Sequence, residues 1–139
     1  MSFREKSAWV MGALMVVAGL YYLNMAVAAV RDVGWTMQSV AVFVPFTILV
    51  VVLSIVAQTT LAIMTPKEAN APADERERPL IDRAGNWSGV VLGAGVVTSL
   101  LYFLLYQEGP ILFHMIMGSL ILSQIAEYAF QIILIRRSF

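Results

Sequence analysis

One carboxyl group inside an apolar segment has the clearest potential for chemistry in this sequence. Glu127 lies within S-Q-I-A-E-Y-A-F-Q, from Ser123 to Gln131, in the last of four long apolar runs. At about 100° per residue on a helix, Gln124 and Gln131 fall within roughly 60° of Glu127, so the polar side chains share one narrow face. A carboxylate at this depth costs roughly 3 kcal/mol on insertion scales. We therefore expect it to face the interior of a helix bundle, a wet cavity or a partner.

A second polar residue lies at a similar depth in another apolar run. Gln58 precedes Thr65, and Glu127 precedes Arg136, by distances that place both roughly 10 to 14 Å inside the same membrane boundary at about 1.5 Å per helical residue. We predict one buried polar site that contains Glu127, Gln124, Gln131 and Gln58. Because a membrane-buried carboxyl can release and take up a proton, the site could bind a proton or a cation. The alternative is an interhelical hydrogen-bond clasp, typically worth only about 0.6 kcal/mol per bond.

The other residue types exclude most kinds of enzyme. The chain has no cysteine, which rules out thiol catalysis, disulfide exchange and cysteine-based metal or iron-sulfur sites. His114, the single histidine, is about 140° around the helix from Glu127 and is expected at the membrane interface rather than in a metal site. No Ser-His-Asp or Gly-rich phosphate motif is visible. We expect no enzymatic activity, no metal site and no cofactor.

Composition places the chain in the membrane. Of its 139 residues, 60% are hydrophobic and 13% are charged, and the mean hydropathy is +0.80, which is typical of integral membrane proteins. Nine basic residues balance nine acidic ones, and no basic stripe is interleaved with aromatic residues. Nucleic acid is therefore excluded as a partner, and the lipid bilayer is the expected environment.

The apolar runs predict an all-α integral membrane protein, a four-helix transmembrane bundle that forms a single domain over residues 1–139. Each run is long enough to cross a bilayer, and one hydrophilic segment containing three prolines separates the second run from the third. The predicted helices span residues 7–30, 40–64, 87–106 and 111–135, and the predicted loop spans residues 65–86.

Small residues at three- and four-residue spacing predict where the helices pack. Such residues let two helix backbones approach closely in a membrane. The first helix carries Gly12 and Gly19, and the third carries Gly85, Gly89 and Gly93 on one side and Gly95 on the other. Two close-packing faces favour the third helix as the central one. The helix faces lined by small residues outnumber the contacts that four helices need among themselves. This excess favours a homo-oligomer or a complex with another membrane protein.

Basic residues predict the orientation of the chain. Every Lys and Arg except Arg31 falls at one end of the predicted helices, near the termini or in the 65–86 loop. Because basic residues are enriched on the cytoplasmic side, both termini and this loop are expected in the cytoplasm. The sequence thus predicts a multi-pass protein of the cell inner (plasma) membrane.

The loop carries an alternating charged motif from Asp74 to Arg78, D-E-R-E-R. Its residues are Asp74, Glu75, Arg76, Glu77 and Arg78. With D-E-R-E from Asp74 to Glu77, followed by an aliphatic residue, a basic residue and a Gly-rich third helix, the chain resembles an uncharacterised bacterial family of small four-helix membrane proteins. This resemblance implies a bacterial cytoplasmic-membrane protein with a functional cytoplasmic loop, and it implies no activity, since none is assigned to that family.

Two functions from different classes fit these features. The first is an accessory or regulatory interaction protein that presents the cytoplasmic loop to a partner, since the loop holds nine of the eighteen charged residues. The alternative is a proton-coupled transporter of a small-molecule substrate, with Glu127 as the membrane carboxylate.

Overall fold

The computed structural model describes residues 2–69 and 75–138, and within them the chain is a set of long helices. The elements are α1 (Phe3–Val33), a 3₁₀ helix (Met37–Val42), α2 (Phe43–Met64), the short α3 (Pro66–Ala69), α4 (Glu77–Tyr106) and α5 (Gly109–Ser138). Four candidate spans, with the 3₁₀ helix and α2 counted as one, are long and apolar enough to cross a membrane. The predicted all-α four-helix transmembrane bundle is confirmed.

The third membrane helix begins earlier than the sequence predicts. It starts at Glu77 rather than at Trp87, so residues 77–86, predicted as loop, are helical. The reason is the position of Pro79 in the first turn of α4. Proline has no backbone N–H, but the N–H groups of the first turn have no partner within the helix, so proline is tolerated there. The proline that was read as a helix breaker therefore lies inside the start of α4. The connection between α2 and α4 is correspondingly shorter than the predicted 65–86 loop.

Helices α1 and α5 also extend beyond their predicted bounds, whereas α2 begins at Phe43, after a 3₁₀ helix, instead of at residue 40. Helix α1 begins at Phe3, where the Ser2 side chain accepts a hydrogen bond from the Glu5 backbone N–H at 3.2 Å. This is a standard N-terminal cap, and it satisfies a backbone donor that the helix itself leaves unpaired. At the other end of the bundle α5 begins at Gly109, and Pro110 lies in its first turn.

The helices pack side by side in the order α2, α1, α5, α4, with α1 and α5 in the centre. The prediction that the third membrane helix is central is wrong, because α4 packs chiefly against α5. Only one of its two glycine faces is used within the described chain. A Cβ at Gly95 would lie 2.7 Å from the Ser119 Cβ, whereas a Cβ at Gly89 would meet nothing within 4 Å. Gly85 and Gly93 are equally open.

The glycines of α1 are used in the central contact. A Cβ at Gly12 would lie 3.3 Å from the Tyr128 Cβ, and one at Gly19 would lie 3.0 Å from Ile121 Cγ2. The absence of these two side chains lets the α5 side chains lie against the α1 backbone. The buried core continues from this contact toward α2. It consists of Ala18, Tyr22, Ala26, Phe46, Met117 and Ile121.

Helix α1 begins and helix α5 ends at the same end of the bundle, which we call the termini end. Arg136 Nε donates to Glu5 Oε1 at 2.9 Å and its guanidinium lies over the Trp9 ring at 5.3 Å. The start of α4 is also here, since the Trp87 ring meets the Phe130 ring edge-on at 5.4 Å. The opposite end, where α1 leads into the 3₁₀ helix and α4 into α5, is called the far end.

Candidate functional site

Gln124, Glu127 and Gln131 form a polar strip on α5 that lies between its two packing faces. On one face, Ser123 Oγ donates to the Ser88 carbonyl oxygen of α4 at 3.0 Å. On the opposite face, Tyr128 packs against α1. At 100° per residue, the strip falls between these two directions. Neither neighbour of α5 therefore covers it.

Helix α2 covers the polar strip of α5 only near the far end. Phe113 lies five whole helical turns before Gln131, on the same side of α5. Its ring meets Phe43, at the start of α2, edge-on at 5.4 Å. Toward the termini end, Gln124 is exposed, and Glu127 and Gln131 are half-buried. Glu127 is therefore only partly covered by the described helices, and its contact with a wet cavity or a partner stays a prediction.

Gln58 does not join the polar strip in the structure. Its side chain forms a reciprocal pair with Ser7 on α1, in which Gln58 Nε2 donates to Ser7 Oγ at 2.9 Å and Ser7 Oγ approaches Gln58 Oε1 at 3.3 Å. Within the described residues, Glu127 has no hydrogen-bond or ion-pair partner. The predicted four-residue site thus divides into a Gln58–Ser7 pair and a separate strip.

The reason is the lateral order of the helices. Gln58 and Glu127 were placed at one depth, but depth does not decide which helices are neighbours. Because α2 packs against α1 at the termini end, the amide of Gln58 meets a hydroxyl of α1 instead of a carboxyl of α5. In a membrane, an amide takes the nearest available hydrogen-bond partner, since lipid offers none.

The charged motif between α2 and α4 divides into exposed and buried residues. Glu75, Arg76 and Arg78 are exposed. Glu77 is 4% exposed and begins α4 on the face that packs toward α5, so it is not available to a partner. Asp74 lies outside the described residues. The basic members of the motif are therefore the accessible ones in the described part of the chain.

A polar pair at the far end was missed by the sequence reasoning. The Tyr22 hydroxyl and His114 Nδ1 lie 2.6 Å apart and join α1 to α5. Tyr22 is 5% exposed, and its ring packs edge-on against Phe46 at 4.9 Å. The sequence predicted His114 at the membrane interface, and it did not predict this hydrogen bond. The available signal was Tyr22 itself, which occurs at three- and four-residue spacing among the small residues that line the α1 packing face.

The described residues contain no group of three or more His, Asp or Glu side chains that could hold a metal ion. Comparison of the chain with protein-family models, with curated proteins and with solved structures gave no match in any of the three. The interpretation of its sites therefore depends on its own geometry.

The Tyr22–His114 hydrogen bond should couple α1 to α5 energetically. We expect Tyr22→Phe to lower the free energy of unfolding by about 1 kcal/mol, because it leaves His114 Nδ1 without its partner. In a His114→Phe background the same change should cost little. Thermal unfolding in detergent of the wild type, both single variants and the double variant measures this coupling. Purely additive effects would show that the hydrogen bond contributes nothing.

Proposed function

We propose that this protein is an accessory or regulatory membrane protein that binds a cytoplasmic partner through the charged surface of its termini end. The observation that carries the proposal is the gathering of exposed basic side chains there. Arg136 and Arg137 end α5, and Arg76, Arg78 and Arg83 lie at the start of α4. All five side chains are exposed.

The sign of this surface indicates the chemistry of its partner. Glu75 and Asp82 are exposed acidic residues in this region, and Glu77 is buried. Glu5 and Arg136 form an ion pair, so the positive charge of the surface comes from its other exposed basic side chains. A basic surface attracts an acidic one and accelerates its association. An acidic cytoplasmic protein segment is therefore the partner that fits best.

The same basic residues support an orientation with the termini end in the cytoplasm. Positive charge is enriched on the cytoplasmic side of membrane proteins. By sequence position, Arg31 is the one Lys or Arg that falls at the far end of the bundle. Together with the resemblance to small bacterial membrane proteins, this supports a multi-pass protein of the bacterial inner membrane.

Cysteine labelling tests the orientation directly, because the chain has no cysteine of its own. We expect Gln107→Cys, at the exposed turn of the far end, to react with a membrane-impermeant maleimide in intact spheroplasts. Arg137→Cys should react only after the membrane is permeabilised. Mass-shift gels give both results, and the reverse pattern would place the termini outside the cell.

Charge reversal tests the interaction. We expect Arg76→Glu with Arg78→Glu to reduce recovery of a cross-linked cytoplasmic partner by roughly tenfold or more, since attraction becomes repulsion at two positions. The matched control is Asp32→Lys with Glu108→Lys, which reverses two exposed charges at the far end. Quantitative mass spectrometry after cross-linking in native membranes measures recovery. Equal recovery of every partner from wild type and both variants would contradict the proposal.

A second function is supported by the half-buried carboxyl group of Glu127, which has no hydrogen-bond or ion-pair partner among the described residues. An uncompensated carboxyl within a membrane helix is a typical site of proton exchange. The second candidate is therefore a proton-coupled transporter of a small, cationic substrate.

Removal of the carboxyl group separates the two functions. We expect Glu127→Gln to abolish ethidium movement driven by a pH gradient in proteoliposomes, because an amide cannot exchange a proton. The control is Glu108→Gln, an exposed change at the far end that should leave movement intact. Wild-type proteoliposomes that do not move ethidium faster than empty vesicles would count against transport of this substrate class. Equal movement by Glu127→Gln would exclude Glu127 from the mechanism.

A further inference from the structure

A groove of about 510 Å³ lies between α1 and α5 in the half of the bundle nearer the far end. Its walls are mainly apolar, with Val16, Leu20 and Val27 on the α1 side and Leu122 and Ile125 on the α5 side. This volume is in the range of sites that hold small ligands. The groove is separate from the polar strip and from the charged surface of the termini end.

The length of the groove corresponds to one leaflet of a bilayer. It extends along α1 from Val16, near the middle of that helix, to Arg31, in its last turn. At 1.5 Å per residue this distance is about 22 Å. Half of the hydrocarbon core is about 15 Å, and the headgroup layer adds several more. A chain that enters from the headgroups could therefore lie along the whole groove.

The far end of the groove carries groups suited to a headgroup. Arg31 and Trp35 line it there, and both are exposed. Within the described residues Arg31 has no ion-pair partner. An arginine forms strong charge-assisted hydrogen bonds with phosphate, and tryptophan is favoured at the depth of lipid headgroups. The Tyr22–His114 pair closes the inner side of this end.

The groove is open at Gly118 because glycine has no side chain. A Cβ at Gly118 would meet nothing within 4 Å, although the residue lines the groove. Gly19, which also lines it, already has Ile121 against its backbone. Gly118 therefore leaves space that no side chain of the described chain fills.

We propose that this groove binds one acyl chain of an anionic glycerophospholipid, whose phosphate lies beside Arg31. The apolar walls match the tail, the length matches one leaflet, and the single basic residue of the far end matches the charge of the headgroup. A second copy of the chain fits less well. A symmetric pair across this groove would bring the two Arg31 side chains toward each other at one depth, and like charges repel.

Native mass spectrometry tests the site with phosphatidylglycerol and phosphatidylcholine that carry identical acyl chains. The wild-type protein in detergent should bind one phosphatidylglycerol more tightly than any further lipid. Gly118→Leu fills the groove and should weaken this first binding by roughly tenfold or more. Gly89→Leu is the matched control, since a Cβ there also meets nothing within 4 Å, and it should bind as the wild type does.

The headgroup is tested separately from the tail. Arg31→Gln should lower the preference for phosphatidylglycerol over phosphatidylcholine by about fivefold, with phosphatidylcholine binding unchanged. Arg4→Gln removes an exposed basic residue at the opposite end and should leave the preference intact. Equal binding of the two lipids by the wild type would overturn the proposal. So would a wild-type dimer that Gly118→Leu converts to a monomer, because the groove would then hold a second copy.

A photoreactive lipid tests the site without any substitution. Phosphatidylglycerol with a diazirine near the end of one acyl chain should label the wild-type protein mainly within residues 16–27 and 118–125. Labelling spread evenly over the lipid-facing side chains of α2 and α4 would overturn the proposal, since it would indicate general solvation by the bilayer.

Discussion

The rest of the structure depends on the close contact between α1 and α5. Gly12 and Gly19 remove the side chains that would hold the two helices apart, and Tyr128 and Ile121 occupy that space. In lipid there is little hydrophobic gain from bringing two apolar helices together, so dispersion at such close range is the main attraction. The Tyr22–His114 bond and the Glu5–Arg136 ion pair then fix this helix pair at its two ends. The outer helices α2 and α4 each pack on one side of it.

Many polar side chains in the described spans are satisfied by hydrogen bonds within the bundle, although His114 Nε2 is buried without a partner. Thr47, Ser99 and Ser119 donate to carbonyl oxygens of their own helices, and Ser123 donates to α4. Gln58 and Ser7 satisfy each other. Lipid provides no hydrogen-bond partners, so these internal bonds are what the membrane requires. The polar strip of α5 departs from this pattern, and in a bilayer it must meet water, headgroups or a further protein.

The sequence was sufficient for the spans but not for their neighbours. The length of an apolar run is set by the bilayer, so four membrane helices could be read directly from hydropathy. Hydropathy does not indicate which helices are neighbours, because it varies with depth in the same way along every membrane helix. Gln58 was therefore assigned to the wrong helix partner, and α4 was placed at the centre. The start of α4 was missed for a local reason, since Pro79 breaks a helix in its middle and favours one in its first turn.

The helix order also determines what happens while the chain is being made. Helix α5 is synthesised after α1, α2 and α4, yet it lies between α1 and α4. The hairpin of α1 and α2 therefore enters the membrane before α5 can cover its glycine-lined face. Contacts between the first and last helices form late because they close the longest loop in the chain. Until α5 has entered the membrane, neither its contact with α1 nor its contact with α4 can form. Loss of α5 would therefore leave α4 without its chief packing partner rather than produce a smaller version of the fold.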